Sequence, residues 1–234
     1  MMETEAGKGF LISFDGLDSS GKETQARLFI ERLERAGKTV RQFQTPDYET
    51  ESGKELKLRL QGRLGNWEET SWEEKLMYFA RNRAEHRQEV IEALKRGEVV
   101  VYDRYVPSSL AFIAVEAMHD ASSVSREEVH QAVRNVEYEK NGMPREDISI
   151  FLDVPPSITT ALLEKRKEKL RDDDEYTDHI HVQERLYAEY QYLAQSNPQY
   201  VSIPCTQGEN LLPIEEIHQL IWGRITQTLP RIFA

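Results

Sequence analysis

The sequence predicts a doubly wound α/β domain, a parallel sheet flanked by helices on both faces. Three observations carry that prediction. Short apolar runs alternate with longer helical patterns from one end of the chain to the other. No repeat, low-complexity tract or Pro/Gly linker divides them. The length of 234 residues suits one globular domain with a sizeable core.

The elements follow in order. Gly9 to Asp15 (GFLISFD) is a short apolar run ending in Gly16, and reads as a buried strand. Lys22 to Ala36 carries Ala26, Leu28, Phe29, Leu33 and Ala36 at helical spacing, with Gly37 closing it. Thr39 to Gln44 is a second strand, stopped by Pro46. Ser71 to Lys95 reads as one long helix, opened by a capping box of Ser71 and Glu74. Glu98 to Asp103 (EVVVYD) is a third buried strand, and helices follow over Pro107–His119 and Arg126–Asn141. The run Ile148 to Val154 (ISIFLDV) is the next strand. Helices over Ser157–Lys169 and Asp178–Gln195 flank a charged connection, Arg166 to Asp178. A short strand at Val201–Ile203 and a helix over Ile214–Thr228 complete the pattern. Ligands of such sheets sit beyond the carboxyl ends of the strands.

Composition narrows the function. Lys+Arg number 30 against 41 Asp+Glu, a net charge of −11. That balance speaks against a nucleic-acid or anionic-membrane surface, while leaving room for a local basic pocket. No stretch approaches the roughly 18 to 20 consecutive apolar residues of a membrane helix. The opening MMETEAGKGF has acids and no apolar run of signal-peptide type. Cys205 is the single cysteine, which excludes an internal disulfide framework and a cysteine zinc cluster. A cytoplasmic, soluble protein is expected. His179 and His181 are two apart, a spacing that does not share a helix face, so no metal site is expected there.

The chemistry begins where the first strand ends. Gly16-Leu17-Asp18-Ser19-Ser20-Gly21-Lys22-Glu23-Thr24 has the G-x-x-x-x-G-K spacing of a P-loop, between a strand and a helix. Glycines let successive backbone N–H groups turn around phosphate oxygens. The helix N-terminus points at the same anion, and Lys22 adds a point charge to the β and γ phosphates. The residue after the lysine is usually Ser or Thr, whose hydroxyl ligates magnesium; here it is Glu23. Either Glu23 complements the helix N-terminus, or its carboxylate reaches the metal. Thr24 supplies a hydroxyl one position later.

A second anion site is expected at the end of the third strand, in Asp103-Arg104-Tyr105-Val106-Pro107-Ser108-Ser109-Leu110-Ala111-Phe112. Asp103 converges on the same crevice as the P-loop, where a carboxylate can hold magnesium waters or orient an attacking oxygen. Arg104 can grip a phosphate bidentately. On the long helix, Phe79 and Arg83 are four apart and share a face. The pair suits a flat, carbonyl-bearing base, by stacking and hydrogen bonding; taken alone it also fits a core Phe beside a surface Arg.

The chain resembles the thymidylate kinases, P-loop nucleoside monophosphate kinases that phosphorylate dTMP from ATP. The resemblance runs from about Lys8 to the last helix. It rests on Phe14–Gln25 (FDGLDSSGKETQ), Phe79–Arg83 (FARNR), Asp103–Phe112 (DRYVPSSLAF) and Ile150–Val154 (IFLDV). Thr45–Tyr48 (TPDY) matches the family's proline turn more loosely.

The resemblance implies one P-loop kinase domain of the P-loop NTPase type over residues 8–230, with a lid at about 166–178 and residues 1–7 as a disordered extension. It implies ATP along Gly16 to Thr24, magnesium near Glu23 and Asp103, and dTMP as acceptor. Asp15 is expected beside the reacting phosphates, Asp18 on the 3′-hydroxyl, and Arg104 on the acceptor phosphate. Phe79 would stack on thymine, Arg83 reach its O4, and Ser108 and Ser109 line the base pocket. Phe112 would pack where a ribose 2′-hydroxyl projects, disfavouring ribonucleotides. No arginine stands at Ser19 in the loop, so Arg166 or Arg171 of the lid is expected to supply that charge to the migrating group. Tyr48 stands where some members carry an arginine for the acceptor phosphate. A homodimer is implied, through the helices after Asp103 and around Ser71–Lys95. Thr206 and Gln207 are candidates beside adenine. The rival readings are a kinase of the same fold acting on dUMP, UMP or a nucleoside, and a non-catalytic nucleotide-binding module.

Overall fold

The computed structural model describes residues 9–118, 124–170 and 180–233, without the side chains of 166–170, 180–181 and 233. Five parallel strands form the central sheet: β1 (Phe10–Asp15), β2 (Val40–Gln44), β3 (Val99–Asp103), β4 (Ile148–Asp153) and β5 (Tyr200–Pro204), in the order β2-β3-β1-β4-β5. Around it run α1 (Lys22–Arg35), α2 (Glu51–Leu60), α3 (Trp72–Ala84), α4 (Arg87–Lys95), α5 (Val106–Ala117), α6 (Arg126–Arg134), α7 (Pro156–Leu170), α8 (Ile180–Ser196) and α9 (Ile214–Thr228). A π turn (Asn135–Lys140) extends α6, and a small antiparallel hairpin, β6 (Thr206–Gln207) with β7 (Asn210–Leu211), follows β5.

The strands are apolar on both sides because both sides are covered. In β1, Leu11 faces one way while Ile12 and Phe14 face the other, and all three are fully buried. Leu11, Val100, Tyr102 and Phe151 pack under α3, α4, α5, α6 and α8. Ile12, Phe14, Val101, Ile150 and Leu152 pack under α1 and α9. β1 is central, and its neighbours β3 and β4 lie on opposite sides, so the strand order reverses at its carboxyl end. The register pairs Phe14 with Asp103 and Asp15 with Phe151, bringing the P-loop beside Asp103 and Arg104.

Two expectations are corrected. The long helix Ser71–Lys95 is two helices, with a break at Glu85–His86 that no Gly or Pro announces. Tertiary bonds make the break. Glu85 accepts from Ser52 N at 3.0 Å, and His86 Nε2 bonds Asp47 Oδ2 at 2.9 Å. At the start of α3, Ser71 Oγ caps Glu74 N at 3.2 Å, which is half of the expected box. The complete reciprocal box stands at α6, between Ser125 and Glu128. The second correction is α2, which was not foreseen in a charged segment containing Gly53. A Cβ at Gly53 would lie 1.7 Å from the Asp47 carbonyl oxygen, so only glycine lets the loop pack so closely. Thr50 caps the helix by accepting from Gly53 N at 3.1 Å.

Candidate active site

The chain leaves β1 through Gly16–Gly21 and enters α1. Gly16 (φ 141°) and Gly21 (φ 92°) adopt conformations that side chains disfavour. Ser19 (φ 58°) and Arg104 (φ 63°) are the non-glycine residues with positive φ among the described residues, and both border one cavity. Such strain persists only where surroundings enforce it, and it concentrates at functional sites. No side chain caps α1, so its first amides are left for an anion. The hydroxyls of Ser19 and Ser20 are buried without partners, as groups awaiting a ligand are.

Charge is concentrated here. Lys22 is 7% exposed and its Nζ donates to the Leu17 carbonyl at 2.6 Å. Burial, and then Arg104, lower its pKa to about 8, against the pull of Asp18, Asp103 and Asp15. Arg104 pairs with Asp18 and donates to the Gly16 carbonyl at 3.0 Å. Burial works against its charge, but Asp18, Tyr190, Asp103 and Asp15 more than offset this and hold its pKa above the ordinary value. Burial raises the Asp103 carboxyl, with Lys22 and Arg104 opposing, and its Oδ1 is buried without a partner. Glu23 is exposed and Thr24 half-buried at the rim of the cavity.

A magnesium ion fits this donor set, since Asp103 has an unpartnered oxygen and Glu23 an exposed carboxylate beside a phosphate-binding loop. Among the described residues no three His, Cys, Asp or Glu side chains group closely enough to hold a metal by themselves. Such a partial shell suits an ion that takes its remaining ligands from phosphates and water.

Asp15 differs from expectation. It is 1% exposed and does not border the cavity. Its Oδ1 accepts from Tyr105 N (3.2 Å) and Ser108 Oγ (2.5 Å), its Oδ2 from Ser13 Oγ (2.6 Å) and Ser149 Oγ (2.7 Å). The β pleat turns it, with Ser13, to the side covered by α5. Asp15 therefore joins β1, β4 and α5 behind the P-loop, away from the cavity lining.

The same cavity, about 700 Å³, runs from the P-loop to the aromatic wall of α3 and α5. Phe79 and Phe112 meet edge to face, centroids 5.3 Å apart at 69°. Arg83 is no surface residue. It is 1% exposed, pairs with fully buried Glu137, and donates to Tyr105 O (3.2 Å) and Ser109 Oγ (3.1 Å). Burial disfavours its charge, but the Glu137 carboxylate outweighs that and raises its pKa. Ser108 and Ser109 border the cavity as expected. So does Tyr48, with the Lys57 ammonium 5.6 Å over its ring. The Tyr48 loop, which carries a cis Thr45–Pro46 bond, is held by fully buried Asn82. Asn82 accepts from Asp47 N at 2.8 Å and donates to Asp47 O (3.1 Å) and Thr50 Oγ1 (2.8 Å).

Several residues of the site escaped the sequence reading. Gln183, Leu186 and Tyr190 of α8 border the cavity, with Leu60 and Leu163. The Oε1 of Gln183 is buried without a partner. Tyr190 Oη lies 2.9 Å from Ser108 Oγ, and burial pushes its phenol up to about 12. Their signal was available: Gln183 shares the helical stripe of Leu186, Tyr190 and Leu193, a polar residue on an otherwise inward face. Thr206 and Gln207 form β6 and do not border the cavity. Residues 1–8, Arg171, His179 and most of the expected lid lie outside the described residues, as do the side chains of Arg166 and His181.

Comparison with known proteins agrees over nearly the whole chain. A family model described as thymidylate kinase matches residues 14–221. A probable thymidylate kinase of Pyrococcus abyssi is 30% identical over 225 residues, covering 95% of this chain and 98% of the relative. The thymidylate kinase of Plasmodium falciparum is 27% identical over 228 residues, covering 97% and 94%. Among solved structures, thymidylate kinase from Candida albicans superposes with a TM-score of 0.67 at 22% identity, covering 97% of this chain and 94% of its own.

Proposed function

The chain belongs to the thymidylate kinase family and is an enzyme that phosphorylates dTMP with ATP as donor; from that premise we propose the following division of labour in its cavity. The observation that carries it is the continuity of one cavity from the P-loop, past Arg104, to Phe79 and Phe112. The triphosphate of ATP lies along Gly16 to Thr24, on the uncapped amides of α1, with Lys22 on the β and γ phosphates. Arg104 holds the acceptor phosphate, with Tyr48 beside it. Thymine stacks on Phe79, Arg83 donates to its O4, and Phe112 leaves no partner for a ribose 2′-hydroxyl. Asp18 takes the 3′-hydroxyl.

A phosphate oxygen of dTMP attacks the γ phosphorus in line as the bond to the ADP oxygen breaks, with no covalent enzyme intermediate. The protein contributes alignment and positive charge, from Lys22, Arg104 and a lid arginine, Arg166 or Arg171. Glu23 and Asp103 would hold magnesium, directly or through water, and the ion would supply further neutralisation of the phosphate charge.

No helix of the described residues is long and apolar enough to cross a membrane; the family's chemistry on free nucleotides is what supports placing the enzyme in the cytoplasm. Assembly is proposed as a homodimer through α3, whose Met77 is 51% exposed; α5, also expected there, is covered by its own chain. The functional test is ADP release by the purified chain. Release that requires both dTMP and magnesium is expected; ATP binding without dTMP-dependent turnover would instead mark a binding module.

A further inference from the structure

The π turn after α6 carries a charge into the interior. Val129 and Val133 mark the inner face of α6, and Glu137, four residues beyond Val133, comes round to the same side. The wider π turn buries Val136, Glu137 and Tyr138 in succession, and Glu137 is 0% exposed. A carboxylate taken wholly from water needs a partner, and here it is the Arg83 guanidinium on α3. The remaining bonds of Arg83 go to Tyr105 O and Ser109 Oγ, while its Nε is buried without a partner. Arg83 borders the cavity and Glu137 does not, so Glu137 can act on a ligand only through the arginine.

A guanidinium offers donors and no acceptor. Held in one plane, it accepts a base whose facing edge is a carbonyl and meets an amino group donor to donor. Without Glu137 it would keep only its bonds to Tyr105 O and Ser109 Oγ, and the direction of its donors toward the base would be less fixed. We propose that Glu137 is the positioning residue for base selection: by pairing with Arg83 from behind, it fixes where the guanidinium lies, so that its donors stay aimed at the carbonyl edge of the base. This rests on the reading that Arg83 meets the base.

The readout is the ratio of kcat/KM for dTMP to that for dCMP, which cancels any difference in folded fraction. Glu137→Asp keeps the charge but withdraws the carboxylate by one methylene; Glu137→Gln keeps the shape and removes the charge. Both are expected to lower the ratio by roughly tenfold or more, with the KM for ATP moving less than about twofold. Arg83→Lys, which removes the fork, is measured alongside. If Arg83→Lys loses the ratio while both Glu137 variants keep it within about twofold, the guanidinium is aimed without Glu137 and the proposal is overturned. A ratio retained in all three variants would overturn the reading of Arg83 itself, and the proposal with it.

Discussion

The two ends of the cavity handle charge in opposite ways. At the base end one cation, Arg83, is matched by one buried anion, Glu137, beside the rings of Phe79 and Phe112 and the hydroxyls of Ser108 and Ser109. At the phosphate end Lys22 and Arg104 stand among Asp18, Asp103 and Glu23, with unpartnered hydroxyls at Ser19 and Ser20 and an unpartnered oxygen on Asp103. At the base end the charge is balanced within the protein, while Arg83 Nε and Glu137 Oε2 keep unused hydrogen-bonding capacity, as suits a neutral ligand chosen by shape and hydrogen-bond pattern. The phosphate end is incomplete without a polyanion and its counter-ion. Selectivity and catalysis are thus housed in different electrostatic surroundings, and substitutions should separate them.

The largest separation is expected from Lys22→Ala, which should cost kcat/KM roughly a thousandfold while the KM for dTMP changes only a few-fold, read by steady-state kinetics. An equal loss in both would erase the distinction between the ends. Phe112→Ala acts at the other end, and should narrow the preference for dTMP over its ribonucleotide counterpart by roughly tenfold, measured as a kcat/KM ratio. Acidity sharpens the comparison further. Because Lys22 has a pKa of about 8, below its ordinary 10.5, the free site loses this charge as pH rises past about 8. ATP binding must then restore the proton, so Kd should climb toward tenfold per pH unit above that point, with proton uptake visible in calorimetry. A flat affinity between about pH 7 and 9 would contradict the burial argument for Lys22. The smallest effect is expected from Glu23→Ser: a magnesium half-saturation raised roughly threefold, where no change would remove Glu23 from the metal's surroundings.

What could be read in advance depended on whether chemistry lay contiguous in the chain. Gly16–Thr24 and Asp103–Phe112 are unbroken strings, and the strands before them are plain apolar runs. Asp15 stands one residue from the P-loop yet serves the interior, because its role depends on register across β1 and β4, where Ser13 lies opposite Ser149. The break between α3 and α4 comes from bonds to Ser52 and Asp47, long-range partners that no local pattern displays. Helix α2 was hidden by its charges and by Gly53, a glycine retained for a close backbone approach. Glu137 and Gln183 were visible in one sense, as polar residues on apolar helical stripes. Which cation or ligand they served could be learned only once α3, α8 and the π turn were brought together.

The most direct test of the whole account is acceptor choice. With ATP and magnesium saturating, kcat/KM is measured for dTMP, dUMP, dCMP and UMP on the purified protein. The account predicts dTMP first, with UMP, which carries the 2′-hydroxyl and lacks the methyl group, far below it. Dominant turnover of UMP would contradict the assignment of Phe112, and dominant turnover of dCMP, whose base has an amino group in place of O4, that of Arg83.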